Sequence, residues 1–450
     1  MRRRALRRLP GYRSVRAFQQ KRRRQAAAGG GAPSAGAAAG STATAGGLSW
    51  GQRMVRVAGA VVLVLFVIGV VAGDDEGATP TASAGEDRTP GVVRPPKPLG
   101  DTTTTAPPRT FTVVAAGDVL LHGRLWQQAA EDAAAAGQPG RSFDAMLAGV
   151  QPIVDEADLA VCHLETPLAP PEGPFSGYPV FSVPPEIAPA LKATGFDACS
   201  TASNHTYDKG GEGIDRTLNT LDAAGLGHAG SARTPAEAGS TTLLNANGVS
   251  VALLSYTYGF NGIPAPDGQE WRSNQIDEAR ILADAAKAKQ RGAEVVILAL
   301  HWGDEYGQGL SAQQADLAPR LIASPDIDLI WGHHAHVTQP IENIGGEWVV
   351  FGMGNMIAYQ GSLGPTREEG LMVRFTFSDA GGAWKVVDAA YEPLLTARQS
   401  PTRLVAVGRA LNDPATPPDF RARLQQAWDR TVEIVGSRGA GLVGLRPLNP

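Results

Sequence analysis

Positive charge in excess is missing from this 450-residue chain as a whole: forty Lys and Arg stand against forty-four Asp and Glu, a net charge of -4. That balance excludes a general nucleic-acid binder. A Gly-x-x-x-x-Gly-Lys-Ser/Thr loop is also missing, so any nucleotide chemistry that the function requires belongs to another subunit. Cysteine is nearly absent, with Cys162 and Cys199 alone, and both fall in strand-like runs (159–163 and 196–201) where a buried thiol packs well; they are expected as an unpaired pair. Histidine is scarce too, with eight in all, and this makes three of them within residues 333–336 informative.

The charge that is present is unevenly placed. Residues 1–24 carry eleven Arg and Lys and no acid, and an Ala/Gly/Ser segment follows at 26–49. Next comes VAGAVVLVLFVIGVVA (57–72), with Arg53 and Arg56 before it and Asp74, Asp75 and Glu76 after it. About 16 to 19 apolar residues suffice to span a bilayer. The run starts too far from Met1, and is too long, for a cleavable signal peptide, so an uncleaved anchor is expected. The arginine-rich arm then stays in the cytoplasm and everything after residue 73 lies outside. Residues 74–110 are rich in Thr, Pro, Gly and Ala and too poor in bulky apolar residues to bury a core, which suits a stalk. The expected organisation is a basic arm (1–52), a single transmembrane helix (53–73), a stalk (74–110), a folded domain (111–395) and a C-terminal extension with a helix (396–450).

From Phe111 the texture changes. Apolar β-rich runs at 111–116, 159–163, 196–201, 249–256, 294–300, 327–331 and 348–353 are mostly continuous rather than alternating, as in strands buried on both faces. Helical patterns lie between them at 213–225, 276–292 and 311–324, the last with Ser311 as N-cap. Alternating strands and helices imply a layered α/β fold. Two later runs, 371–377 and 383–391, alternate more cleanly and suit an antiparallel edge or second sheet, and 419–435 suits a closing helix.

Nearly every run ends in residues that bind metal or move protons: Asp118, His163-Leu164-Glu165, Ser203-Asn204-His205 with Asp208, His301, and His333-His334-Ala335-His336. In open α/β sheets the ligand site lies beyond the carboxyl ends of the strands, so these loops should converge. Singly, each has a plain explanation: Asp118 or Glu165 as a helix cap, Asn204 as a turn residue, His301 as a core histidine. Two residues apart on an extended or tightly turning backbone, His334 and His336 project to one side. Asp118, Glu165, Asn204, His301 and these imidazoles form a mixed oxygen and nitrogen set suited to two borderline divalent ions, Mn, Fe, Zn or Co. Glu165 is the natural bridging carboxylate. His205 is better placed as a general acid than as a ligand, with Asp208 to orient it. Trp302, Tyr306 and Trp331 beside the site read as packing residues.

The series GD (117–118), HLETPL (163–168), SNHTYDKG (203–210), GLGHAGSAR (225–233), HWGDEY (301–306), GHHAHVTQP (332–340) and FGMGN (351–355) resembles, in order, that of the bacterial capsule-synthesis CapA (PgsA) family of poly-γ-glutamate biosynthesis. The resemblance covers roughly 111–360. It implies a calcineurin-like metallophosphatase sandwich and a membrane-anchored, outward-facing role in making or exporting poly-γ-glutamate or a related envelope polymer. The implied partners are the bilayer, the polymer or its precursor, and integral-membrane synthase subunits. Two departures from the wider phosphoesterase pattern stand out. Asp118 is followed by Val119 and Leu120, with His122 two places beyond the usual Asp-x-His, and Glu165 stands where an aspartate is usual. The first departure leaves one metal position short of a ligand. Two of His333, His334 and His336 complete the set, with His334 and His336 the favoured pair. The domain carries no strong basic excess, so it is not expected to hold a polyanion by bulk electrostatics.

Overall fold

A computed structural model describes residues 107–360 and 364–449. The basic arm, the proposed anchor at 53–73 and nearly all of the stalk lie outside the described residues. No helix among the described residues is long and apolar enough to cross a membrane.

The chain opens with β1 (Thr110–Leu120), followed by α1 (Gly123–Ala135), β2 (Leu159–Leu164), β3 (Ala198–Ser200), α2 (Gly210–Ala223) and β4 (Gly227–Ala229). A second set follows: β5 (Thr242–Ala246), β6 (Val249–Thr257), α3 (Glu278–Gln290), β7 (Val295–His301), α4 (Ala312–Ile322), β8 (Leu329–His333), β9 (Ile341–Ile344) and β10 (Glu347–Val350). The chain closes with β11 (Asn355–Ala358), β12 (Glu369–Ser378), β13 (Lys385–Ala397), β14 (Arg403–Ala406), α5 (Pro418–Gly436) and β15 (Arg446–Pro447). One sheet has the order β14-β13-β12-β1-β2-β3-β4, with β11 on β1 and β15 on β13; the other has the order β5-β6-β7-β8-β10-β9.

The continuous apolar runs follow from this layering. Along β1, Val113 and Ala115 face the second sheet, with Val251, Leu253, Ile297 and Trp331 in the same core. Val114, Ala116 and Val119 face outward onto Leu125, Leu218 and Leu221 of the covering helices. In β7 the inward set is Ile297 and Ala299, and the outward set Val296, Leu298 and Leu300 packs on Ile281 and Leu321. Strands apolar on both faces cannot alternate. The result is a four-layer arrangement of helices, sheet, sheet and helices.

Local chemistry sets the helix ends. Ser311 caps α4 in a capping box, its side chain accepting from Gln314 N while Gln314 returns a bond to Ser311 N. Gly225, at φ +73, supplies the left-handed residue after α2. The late strands pair antiparallel: β12 lies against β1, and β13 lies between β12 and β14. The segment 396–450 thus adds β14, β15 and α5 around β13.

Three details differ from the sequence reading. Cys162 and Cys199 are bonded to each other rather than free. They are direct partners in the parallel β2–β3 register, Cα atoms 4.4 Å apart, and alternation puts both side chains on one face. The run at 348–353 is a strand only to Val350, because residues 351–354 leave the sheet to cross between the strand ends. That crossing explains two glycines. A Cβ on Gly117 would meet the Gly354 carbonyl, and one on Gly332 would meet the Phe351 carbonyl and the Trp302 indole. Asp118 N bonds Gly354 O at 2.9 Å, Met353 N bonds Gly332 O at 3.0 Å, and Trp302 Nε1 bonds Phe351 O at 3.0 Å. Third, β8 runs on to His333, so this histidine is a strand residue in register with His301.

Candidate metal centre

Register builds the centre. In the first sheet Asp118 is the partner of His163 on β2 and of Asn355 on β11, and His163 is the partner of Ser200 on β3. In the second, His301 pairs with His333. These strand ends meet where Gly117 and Gly332 let the 351–354 segment pass.

Asp118 is fully buried, and its carboxylate is the hub. His333 Nδ1 lies 2.9 Å from Oδ1, His336 Nδ1 lies 3.1 Å from Oδ2, and His334 N donates to Oδ2 at 3.2 Å. Two ligand-like trios share it: Asp118 with His163 and His333, and Asp118 with Glu165 and His336, the donor atoms of each trio lying within 4.8 Å of one another. Around them runs a chain of hydrogen bonds. His163 Nδ1 is 2.8 Å from Ser200 Oγ, His163 Nε2 is 3.0 Å from His301 Nδ1, and His301 Nε2 is 3.0 Å from Asn204 Oδ1. Such contacts fix ring orientation.

The electrostatics follow from burial in close company. Burial would raise the Asp118 carboxyl, but hydrogen bonds from His333 and His336 prevail and hold it below its ordinary range. Burial lifts Glu165 to about 7, with Asp118 adding to the rise and His336 opposing it. Burial pulls the His336 imidazole down, yet Glu165 and Asp118 outweigh it and bring the group to about 9. His163 and His301 are both held well below their ordinary value, first by burial and then mainly by neighbouring imidazoles.

Both Glu165 carboxylate oxygens and His333 Nε2 are buried without a hydrogen-bond partner. Orphaned acceptors of this kind are costly unless something positive meets them. The donor set of carboxylate oxygens and imidazole nitrogens is that of borderline divalent ions. The residues therefore fit a metal of the kind the sequence called for.

Each site residue named from sequence lies in this basin, in differing roles. Asp118, Glu165 and His336 fall in the trios. His301 lies one contact behind His163, and Asn204 one further, in the hydrogen-bonded chain. The His334 ring lies tilted against those of Tyr258 and His301, 4.5 Å and 4.8 Å away, ring centre to ring centre. His334 and His336 sit at φ +86 and +56, so of the two backbones that the sequence allowed it is the tight turn, not the extended one, that carries them. Asp118, rather than Glu165, is common to both trios. His163 is the member that sequence reasoning did not assign as a ligand, and His333 is one that it held open beside the favoured His334 and His336. The position of His163 at a strand end was visible; its register partnership with Asp118 was not, and that partnership brings an imidazole to the position that lacked one. His122 is engaged instead by the backbone of Leu120 and Tyr359.

His205 and Asp208 form a buried pair at 2.8 Å, with Phe181 N donating to the same Asp208 oxygen at 2.6 Å. Burial lowers the His205 imidazole, but the Asp208 carboxylate more than compensates and raises it. Asp208 holds Nδ1, which leaves Nε2 free to deliver a proton. Trp302 and Trp331 are fully buried packing residues, whereas Tyr306 is 38% exposed at the rim.

The fold and this cluster define a two-sheet α/β protein with a buried carboxylate–imidazole centre suited to divalent metal. The model of the bacterial capsule synthesis protein PGA_cap matches residues 112–360, more than half of the chain, and the chain belongs to that family. It is 28% identical over 201 residues to the capsule biosynthesis protein CapA of Bacillus anthracis, covering 44% of this chain and 48% of that one. It is 28% identical over 184 residues to the PGA biosynthesis protein CapA of Bacillus subtilis (strain 168), covering 39% and 46%. It is 27% identical over 216 residues to a probable polyglutamine synthesis accessory protein of Mycobacterium tuberculosis (strain ATCC 25618 / H37Rv), covering 44% and 55%. The chain spans about half the length of the curated relatives it matches. Among solved structures, the calcineurin-like phosphoesterase YfkN from Bacillus subtilis aligns at TM-score 0.39 and 17% identity, covering 73% of this chain and 99% of that one. A putative 5'-nucleotidase from Staphylococcus aureus aligns at TM-score 0.37 and 13% identity, covering 71% and 58%. Scores at this level carry no argument about reaction or substrate.

Proposed function

We propose that this protein is a membrane-anchored, extracytoplasmic component of the synthesis or export of poly-γ-glutamate or a related envelope polymer, on a calcineurin-like sandwich, acting through a divalent-metal centre around Asp118. Family membership and the printed names of the relatives support the polymer. The apolar run at 57–72 behind an arginine-rich arm supports the anchor and its orientation. A bonded Cys162–Cys199 pair suits an oxidising compartment. The observation that carries the metal reading is the sharing of one buried carboxylate by two trios, beside a Glu165 whose oxygens have no hydrogen-bond partner, with His336 Nε2 3.6 Å from one of them.

Asp118, His163 and His333 would hold one ion and Asp118, Glu165 and His336 a second, drawn from Mn, Fe, Zn or Co. Such ions supply Lewis acidity and make a bound water more acidic. The chain's own contribution is to exclude bulk water, to fix the imidazoles through Ser200, Asn204 and Asn355, and to keep a proton on His205 through Asp208. That proton suits a leaving oxygen. His163 in the otherwise short trio favours a second reading, hydrolysis of a phosphomonoester or phosphodiester of the envelope by the same centre.

Elemental analysis of the full chain, purified in detergent without chelator, tests the reading. One to two transition-metal ions per chain are expected, with loss in a Glu165→Ala plus His333→Ala variant, which takes one ligand from each trio. A parent free of bound metal refutes the centre and leaves a non-catalytic assembly scaffold.

A further inference from the structure

Arg367 ends a short 3-10 turn, Pro365–Arg367, just before β12. Its carbonyl accepts from Asn355 Nδ2 at 2.9 Å, and Asn355 Oδ1 lies 3.1 Å from His336 Nδ1, so one amide ties this backbone to the metal centre. Its guanidinium lies over the Tyr306 ring, 3.3 Å from the centroid, and that ring lies 6.0 Å from the ring of His336. Tyr306 is held at φ +68, its N–H bonded to the Ala335 carbonyl at 2.7 Å. A bulky residue in the left-handed region is a strained residue, and here the strain presents a flat ring at the rim of the centre.

Arg367 has no ion-pair partner among the described residues, and its Nη1 is buried without a hydrogen-bond partner. The acids that follow it are taken by other arginines. Glu368 pairs with Arg398 at 2.5 Å and Arg423 at 3.4 Å, and Glu369 pairs with Arg423 and Arg430, both at 2.8 Å. A guanidinium stacked on an aromatic ring, with a buried donor left open, is pre-set for an oxyanion, which it receives through two parallel N–H bonds.

We propose that Arg367, carried on Tyr306, anchors an anionic group, a carboxylate or a phosphate, of the molecule handled at the Asp118 centre. The proposal rests on the reading of that centre as a substrate-handling metal site. It adds a specificity element outside the motif residues: a substrate with an oxyanion held a short span from the reacting group. Carboxylates spaced along a γ-linked glutamate chain have this chemistry, and so does a phosphate ester.

The test is calorimetric binding of inorganic phosphate and, separately, of a synthetic γ-linked glutamate trimer to the metal-supplemented full chain in detergent. Parent, Arg367→Gln and Arg367→Lys proteins are compared, with metal content measured on each. The parent is expected to bind at least one probe. Arg367→Gln should weaken that binding at least tenfold with metal content unchanged, and Arg367→Lys, a point charge without the fork, should recover only part of it. A response to phosphate alone identifies a phosphate ester, and one to the trimer alone a glutamyl carboxylate. Binding by Arg367→Gln equal to the parent's, or no binding of either probe by the parent, overturns the proposal. Absence of metal from the parent, with binding still lost in Arg367→Gln, sinks the metal reading and leaves the anion anchor standing.

Discussion

Exchanging Glu165 for glutamine should change stability in opposite directions with and without metal. In the metal-free protein the buried carboxyl rises from its ordinary 4.5 to about 7. A raised carboxyl means that the fold disfavours the ionised form, so stability is present below pH 4.5 and is lost as pH rises through 7. At about 1.36 kcal/mol per tenfold change in proton affinity, this amounts to roughly 3 kcal/mol at pH 8. Glutamine has the same shape and no charge. The chelator-treated Glu165→Gln protein should therefore melt a few degrees above the parent at pH 8 and together with it at pH 5. Metal reverses the order. An ion at a thousandfold excess over its Kd stabilises by about 4.1 kcal/mol, more than the buried charge costs, and a weaker amide ligand forfeits most of that. Thermal unfolding followed by tryptophan fluorescence, at both pH values and with chelator or saturating Mn or Zn, reads all four states. A variant less stable than the parent at pH 8 in chelator, or metal stabilising both proteins equally, would refute the reasoning.

Asp118→Asn should remove both ions, because the residue belongs to both trios, whereas His163→Gln should remove only one; elemental analysis with equal losses would contradict the shared-carboxylate assignment. Metal uptake at pH 7 should release protons, since His336 at about 9 and Glu165 at about 7 must give theirs up, so affinity rises from pH 6 to 9. Calorimetry in buffers of different ionisation heat measures the release, and a buffer-independent heat would contradict it. Gly332→Ala places a methyl on the Phe351 carbonyl and the Trp302 indole; a loss of about 3 kcal/mol or more is expected, and parent-like melting would show that the crossing is not close.

The layered α/β fold was legible because strands buried on two faces must be apolar throughout, and β1, β2, β6 and β7 all show it. Ser311 announced α4 for an equally local reason: its hydroxyl satisfies backbone donors three residues away. The site was legible in outline, since Asp118, Glu165, Asn204, His205, His301 and the 333–336 cluster carry chemistry wherever they sit. The end of the strand at Val350 was not legible, because it depends on Gly117 and Gly332 accepting a crossing chain. The bond between Cys162 and Cys199 was not legible either, because it follows from which residues of β2 and β3 stand opposite each other.

By itself, then, the sequence determined composition-level and local properties: which segments bury, which helices cap, and which residue types gather at strand ends. Only the tertiary structure decided the allocation of roles. Asp118 became the common carboxylate, and His163 and His333 its partners, through inter-strand register and the meeting of two sheets. Those are relations between residues up to 215 positions apart, as with Asp118 and His333, and no local periodicity encodes them.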